Sequence, residues 1–128
     1  MKVLLDTQAL LWFLLADSRL SENARESIVS TDALVFVSPA SIWEIAIKIS
    51  LGKYSLPEPF ISFWERQMQI NDFTFLPISV AQTARIVDLP FHHRDPFDRL
   101  IIAQALVEGI PVVSIDSIFD HYGVERIW

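Results

Sequence analysis

The sequence predicts an α/β fold, a three-layer α/β/α arrangement with a mainly parallel central sheet. Three observations carry that expectation. Short apolar, β-branched runs alternate along the whole chain with amphipathic stretches of helical period. Capping residues and prolines punctuate the amphipathic stretches at their expected ends. The chain has 128 residues, 52% of them hydrophobic, which suits one domain, residues 1–128, burying one sizeable core. Alternating strands and helices imply right-handed crossovers, and ligands in such sheets sit at the carboxyl ends of the strands.

The elements follow in order. Lys2 to Leu5 reads as a short strand ending at Asp6. Thr7 to Leu15 reads as a helix with Leu10, Leu11, Leu14 and Leu15 on one side. Ser21 caps a second helix running to about Ser30. Ala33 to Val37 is a strand, and Ser38-Pro39 opens a helix with Ser as N-cap and Pro at the first helical position. That helix runs to about Leu51 and stops at Gly52. Pro57 and Pro59 precede a helix from Phe60 to Ile70, followed by a strand from Phe73 to Leu76. Ser79 caps a helix to about Asp88, and Leu89 to Arg94 forms a loop. Asp95-Pro96 opens a helix to Glu108 that Gly109 closes. Val112 to Ile115 is a strand ending at Asp116, and Glu125 to Trp128 forms a last edge strand.

Composition removes several classes of function. There is no cysteine, hence no disulfide scaffold, thiolate metal site or cysteine nucleophile. Three glycines cannot write a glycine-rich phosphate loop. The longest unbroken apolar run, Ala9 to Ala16, has eight residues, whereas a membrane-spanning helix needs about 20. Asp6 interrupts the apolar start, so no export signal is read. The expectation is a soluble cytoplasmic protein with no membrane partner. The net charge of −6 disfavours binding nucleic acid by simple phosphate neutralisation. Carboxylates clustered to hold divalent cations would change that, because two such ions would bring the charge to about −2.

The acids are placed accordingly. Asp6 and Asp116 each follow an apolar strand, which brings both to the carboxyl edge of the sheet. Either alone could cap the next helix or start a turn. Glu44 is a single acid inside the otherwise apolar Ser41–Ile47 stretch, either buried and functional or paired at the surface with Lys48. Asp95 before Pro96 reads as an N-cap. Asp98 reads as an acid favoured at that helix start, an account that explains it only in part. His92 and His93 are adjacent on a loop, where both rarely ligate a metal; a surface loop touching phosphate, or nothing, is expected. Asp120 is expected to be a solvated helix acid. Three or four carboxylates from separate elements can hold Mg²⁺, which activates water and stabilises charge on phosphoryl oxygens.

The segments MKVLLDTQALLW, SIWEIAIKISLGKYSLP, HHRDPFDRLIIAQA and VVSIDSIFDHYGVERIW resemble those of PIN-domain proteins. More narrowly, they are similar to VapC-like ribonuclease toxins of type II toxin–antitoxin pairs. The resemblance covers nearly the whole chain in order, and DPFDR followed by IAQA is its most specific part. It implies a PIN-like fold and a metal-dependent endoribonuclease that cuts single-stranded RNA. It also implies a Mg²⁺ or Mn²⁺ cofactor, a cognate small antitoxin and a homodimer. Its acidic quartet falls on Asp6, Glu44, Asp98 and Asp116 as catalytic and metal-binding residues. Thr7 matches the hydroxyl residue after the first acid, while Gln8 departs from the histidine often found next. Asp95, Arg94, Arg99, Lys48 and Lys53 neighbour these acids in sequence and are candidates for supporting the site or contacting RNA phosphates.

Other small α/β proteins with acids at strand ends fit less well. A phosphorelay receiver needs an acid pair after the first strand and a late lysine, but Asp6 stands alone and no lysine follows Lys53. A haloacid-dehalogenase-like phosphatase needs an acid at position 8, which is Gln8. The remaining alternative is a PIN fold acting as a non-catalytic RNA- or protein-binding module, against which retention of all four acids speaks.

Overall fold

A computed structural model describes residues 1–128. In chain order the elements are β1 (Lys2–Leu5), α1 (Thr7–Leu14), α2 (Glu22–Val29), β2 (Leu34–Val37), α3 (Pro39–Ser50) and α4 (Phe60–Ile70). They continue with β3 (Thr74–Phe75), α5 (Val80–Val87), α6 (Pro96–Glu108), β4 (Val112–Val113), a 3-10 helix (Ser117–Tyr122) and β5 (Arg126–Ile127). The five strands form one sheet in the order β3-β2-β1-β4-β5, and every pairing is parallel. The expected mainly parallel sheet is therefore parallel throughout.

The period-2 alternation of strand side chains builds the two cores. Val3, Leu5, Val35, Val37 and Val113 point to one side, where they pack with Leu10 and Leu11 of α1, Ile28 of α2, Ile45 of α3 and Phe63 of α4. Leu4 and Val112 point to the other, against Ile101, Ile102 and Ala105 of α6 and Phe119 of the 3-10 helix. Helices on both faces leave the central strands wholly apolar, as buried parallel strands require.

The local signals act as their chemistry dictates. Ser21, Ser38 and Ser79 cap α2, α3 and α5 with their hydroxyls, and Ser79 forms a capping box with Gln82. Gly109 closes α6 in the left-handed region at φ 66°, which a residue with a Cβ adopts only at a cost. Two expected strands are shorter than their apolar runs. The 73–76 run pairs only at Thr74–Phe75 and the 112–115 run only at Val112–Val113. Beyond the paired residues each run keeps one further bond to its neighbour, from the Leu76 amide to the Val37 carbonyl at 2.9 Å and from the Ser114 amide to the Ile127 carbonyl at 3.2 Å. No helix is long and apolar enough to cross a membrane.

Strand order reverses direction at β1. The chain steps outward through β2 and β3, then returns to place β4 on the other side of β1. The carboxyl ends of β1 and β4 thus border the crevice at a topological switch point, where open α/β sheets bind ligands.

Candidate active site

Asp6 stands at that crevice, directly after β1, and its amide donates to the Val113 carbonyl at 3.1 Å. Its carboxylate caps α1 by accepting from the Ala9 amide at 2.7 Å. The capping reading therefore holds, for a side chain that also borders the crevice. Asp6 is buried. Burial pushes its pKa up to about 6, opposed by hydrogen bonds from Ser114 and the Ala9 amide and assisted by repulsion from Asp116 and Glu44.

Glu44 arrives from the second turn of α3. It is buried rather than facing solvent, yet it pairs with Lys48. The Thr7 hydroxyl donates to Glu44 Oε1 at 2.7 Å and lies 3.0 Å from the Ser41 hydroxyl, while Lys48 pairs with Glu44 Oε2 at 3.0 Å. Lys48 in turn has its pKa raised: desolvation opposes the shift, and the hydrogen bond and charge of Glu44 outweigh it.

Asp98 lies in the first turn of α6. Asp95 is the N-cap of that helix, accepting from the amides of Phe97 at 2.9 Å and Asp98 at 3.0 Å, so the capping role belongs to Asp95. Asp98 itself is free to face the crevice. Its pKa is pushed up to about 8, first by burial and then by repulsion from Asp95, Asp6, Glu44 and Asp116. Asp98 thus feels the charge of the other three acids of the quartet. Asp116 follows β4 after the two connecting residues Ser114 and Ile115. Its Oδ1 accepts from the Ile118 amide at 3.0 Å, capping the 3-10 helix.

His93 is the residue that sequence reasoning missed. The loop expected to touch phosphate or nothing instead drives this imidazole into the acid cluster. Nε2 lies 3.1 Å from Asp98 Oδ2 and 2.9 Å from Asp116 Oδ2. One ligand atom from each of these three residues lies within 4.8 Å of the others. A signal was present: His93 sits two residues before the N-cap of the helix that carries Asp98, so its loop must cross the carboxyl edge of the sheet.

Arg99 is a correction of the opposite kind. Proposed as a phosphate contact, it is buried and spends its guanidinium inside the protein. It donates to the carbonyls of Pro90 at 2.8 Å, Leu89 at 3.1 Å and His93 at 3.2 Å, and lies 4.1 Å from the Phe91 ring centroid. Tyr122 completes the clamp, accepting from the His93 amide and donating to Pro90, both at 2.7 Å. Arg99 and Tyr122 thus hold the loop that presents His93. Position 99 lies one residue beyond Asp98, which on a helix turns it about 100° away from the crevice. Arg94 and Lys53 are exposed and form no ion pair, so they remain free to meet a phosphate. Gln8 lies on the rim beside Trp12 and Ile115, in a groove separate from the acids. Asp120 lies outside the cluster and pairs with Arg126 at 2.9 Å, as a solvated acid would.

The donor set suits a hard divalent cation. Carboxylates from four separate elements feel one another's charge, Asp98 and Asp116 offer ligand atoms together with His93 within 4.8 Å, and Lys48 pairs with Glu44. An ion held by Asp6, Glu44, Asp98 and Asp116 would remove their mutual repulsion.

Comparison with known proteins identifies the family. The model of the PIN domain matches residues 3–125, and the chain belongs to the PIN-domain family. No curated protein sequence matches the chain significantly. Among solved structures, a chain of VapBC2 from Rickettsia felis, bound to a DNA fragment from its promoter, is similar at TM-score 0.71 and 14% identity. That match covers 100% of both chains. A chain of VapBC-1 from nontypeable Haemophilus influenzae is similar at TM-score 0.69 and 11% identity, over 98% of this chain and 96% of that one. A chain of FitAcB from Neisseria gonorrhoeae is similar at TM-score 0.60 and 15% identity, over 97% and 95%. At these identities the likeness is one of fold.

Proposed function

We propose that the protein is a Mg²⁺- or Mn²⁺-dependent endoribonuclease acting on single-stranded RNA, the toxin of a type II toxin–antitoxin pair. The observation that carries this reading is Asp98. A carboxylate held near pKa 8 by burial and by like charges is poorly suited to a structural role, and well suited to a site completed by a cation. When bound, the ion supplies an activated water and charge stabilisation at the phosphoryl oxygens.

The protein's own residues prepare the site. Asp6, Glu44, Asp98 and Asp116 hold the ion. Thr7 and Ser41 fix the Glu44 carboxylate, and the capping bonds to Ala9 and Ile118 fix Asp6 and Asp116. Arg94 and Lys53 are the exposed cations left to meet the RNA backbone. The family's partners have counterparts on the surface. An apolar groove of about 450 Å³ lined by Leu11, Trp12, Leu15, Tyr54 and Leu56 lies beside the site and suits an antitoxin segment. A second apolar patch at Ile42, Trp43, Phe60 and Phe75 suits the homodimer contact.

The test is cleavage of single-stranded RNA by the purified, partner-free protein. Cleavage is expected with Mg²⁺ or Mn²⁺ and is expected to stop with EDTA. Cleavage that persists in EDTA overturns the mechanism. RNA binding without cleavage, in every divalent ion tried, favours a non-catalytic binding module instead.

A further inference from the structure

The position of His93 invites the reading that it is a third metal ligand, because a mixed nitrogen and oxygen donor set suits Mn²⁺ or Zn²⁺. The hydrogen bonds argue otherwise. His93 Nδ1 faces the Asp95 amide at 3.2 Å. A backbone amide can only donate, so Nδ1 is the acceptor and the proton of the neutral ring resides on Nε2. A nitrogen that carries a proton has no lone pair for a metal. That Nε2–H donates to Asp116 Oδ2 at 2.9 Å, and Asp98 Oδ2 lies 3.1 Å from the same nitrogen.

Asp116 Oδ1 is already engaged by the Ile118 amide, so Oδ2 is its free ligand atom, and the imidazole holds it. For Nε2 to ligate, the proton would have to move to Nδ1, where it would confront the Asp95 N–H. The backbone cannot retreat either, because Tyr122 accepts from the His93 amide and Arg99 donates to the His93 carbonyl.

We propose that His93 is a placeholder. Its Nε2–H holds the unengaged oxygen of Asp116 beside Asp98 in the metal-free protein, and the ring swings aside when the cation enters rather than joining it as a ligand. This rests on the metal-dependent reading above. It makes His93 a positioning residue that keeps Asp116 aligned beside Asp98 until the ion arrives. It also makes His93 a competitor that the ion has to displace.

Two measurements test this, both independent of catalysis. In calorimetric titrations with Mn²⁺ at one fixed pH, His93→Ala is expected to bind the ion about tenfold more tightly than the native protein. That is the scale set by losing one competing hydrogen bond to a charged group. The metal-free variant is expected to melt lower than the native protein and to gain more on adding Mn²⁺. Weaker Mn²⁺ binding by the variant overturns the proposal, since a lost ligand has that effect. Pulsed EPR of Mn²⁺ on the native protein does not depend on the variant folding. It is expected to show no coupling from a directly bound imidazole nitrogen, and such a coupling overturns the proposal. Absence of Mn²⁺ binding to the native protein removes the metal-dependent reading itself, and the placeholder with it.

Discussion

The two halves of the acid cluster solve the same electrostatic problem in different ways. Asp6 and Glu44 stand on the β1–α1 and α3 side, each tied to the protein. Asp6 caps α1, and Glu44 takes the Thr7 hydroxyl and the Lys48 ammonium. Asp98 and Asp116 stand on the α6 and β4 side with no lysine or arginine partner, bridged only by an imidazole. Glu44 is compensated from within the fold, while Asp98 is left in deficit. The difference teaches where the cation's binding free energy has most to act on: Asp98, whose neighbours are four other carboxylates.

The sharpest way to break this contrast is to neutralise one acid from each half. Asp98→Asn is expected to lower RNA cleavage by more than about 100-fold, beyond the loss typical of a residue that only supports a ligand. The same change is expected to leave the metal-free protein about as stable as before at neutral pH, because burial and like charges already favour an uncharged group there, and more stable above about pH 8, where the acid would ionise. Glu44→Gln is expected to lower cleavage as well, but to destabilise the metal-free protein by about 1 kcal/mol as the Thr7 hydroxyl loses its charged acceptor. Cleavage assays with metal and thermal melts without it read both. An active, destabilised Asp98→Asn would dissolve the distinction and remove Asp98 from the site.

Arg99 tests whether the deficient half depends on a clamped loop. Arg99→Met removes three donors from the carbonyls of Leu89, Pro90 and His93. The expected cost is about 2–3 kcal/mol of stability in denaturant titration. The salt dependence of RNA binding is expected to stay unchanged in protein that remains folded, since the guanidinium is buried. A flatter salt slope would return Arg99 to the phosphate-contacting group.

Proton linkage sharpens the comparison further. Asp98 at about 8 and Asp6 at about 6 both lie above the ordinary value of 3.8. Between the unfolded and folded values the folded protein binds more protons than the unfolded chain, so its stability falls as pH rises. Metal-free melting temperatures are therefore expected to decline from about pH 4 to about pH 8. Asp98→Asn is expected to flatten the upper part of that window. Saturating Mg²⁺ is expected to oppose the decline, because the ion favours the deprotonated acids. A metal-free protein that gains stability over this range would contradict the raised values.

The smallest expected effect concerns the compensated half. Thr7→Val keeps the side-chain shape and removes the hydroxyl that fixes Glu44. A loss of about 1 kcal/mol is expected in thermal melts, with cleavage reduced by up to about tenfold. Full activity in this variant would mean that Lys48 alone orients the glutamate.

By itself the sequence determined most of the elements, and the resemblance it carries named the four candidate acids. Helix ends are written in short-range chemistry, in Ser38-Pro39, Asp95-Pro96 and Gly109, and strand faces in the alternation of residues two apart. Asp6 and Asp116 were legible for the same reason, because each follows an apolar strand and such residues emerge at one edge of a parallel sheet. Tertiary structure alone decided what the polar side chains between elements do. Arg99 and Arg94 look alike as neighbours of acids in the chain, yet one is consumed by three carbonyls of its own loop and the other faces solvent. His92 and His93 are adjacent, yet His92 packs on His121 and Tyr122 while His93 enters the acid cluster. The direction of a loop side chain depends on which distant groups clamp its backbone. Here those groups are Arg99 and Tyr122, 6 and 29 residues further along the chain, beyond the reach of any local pattern.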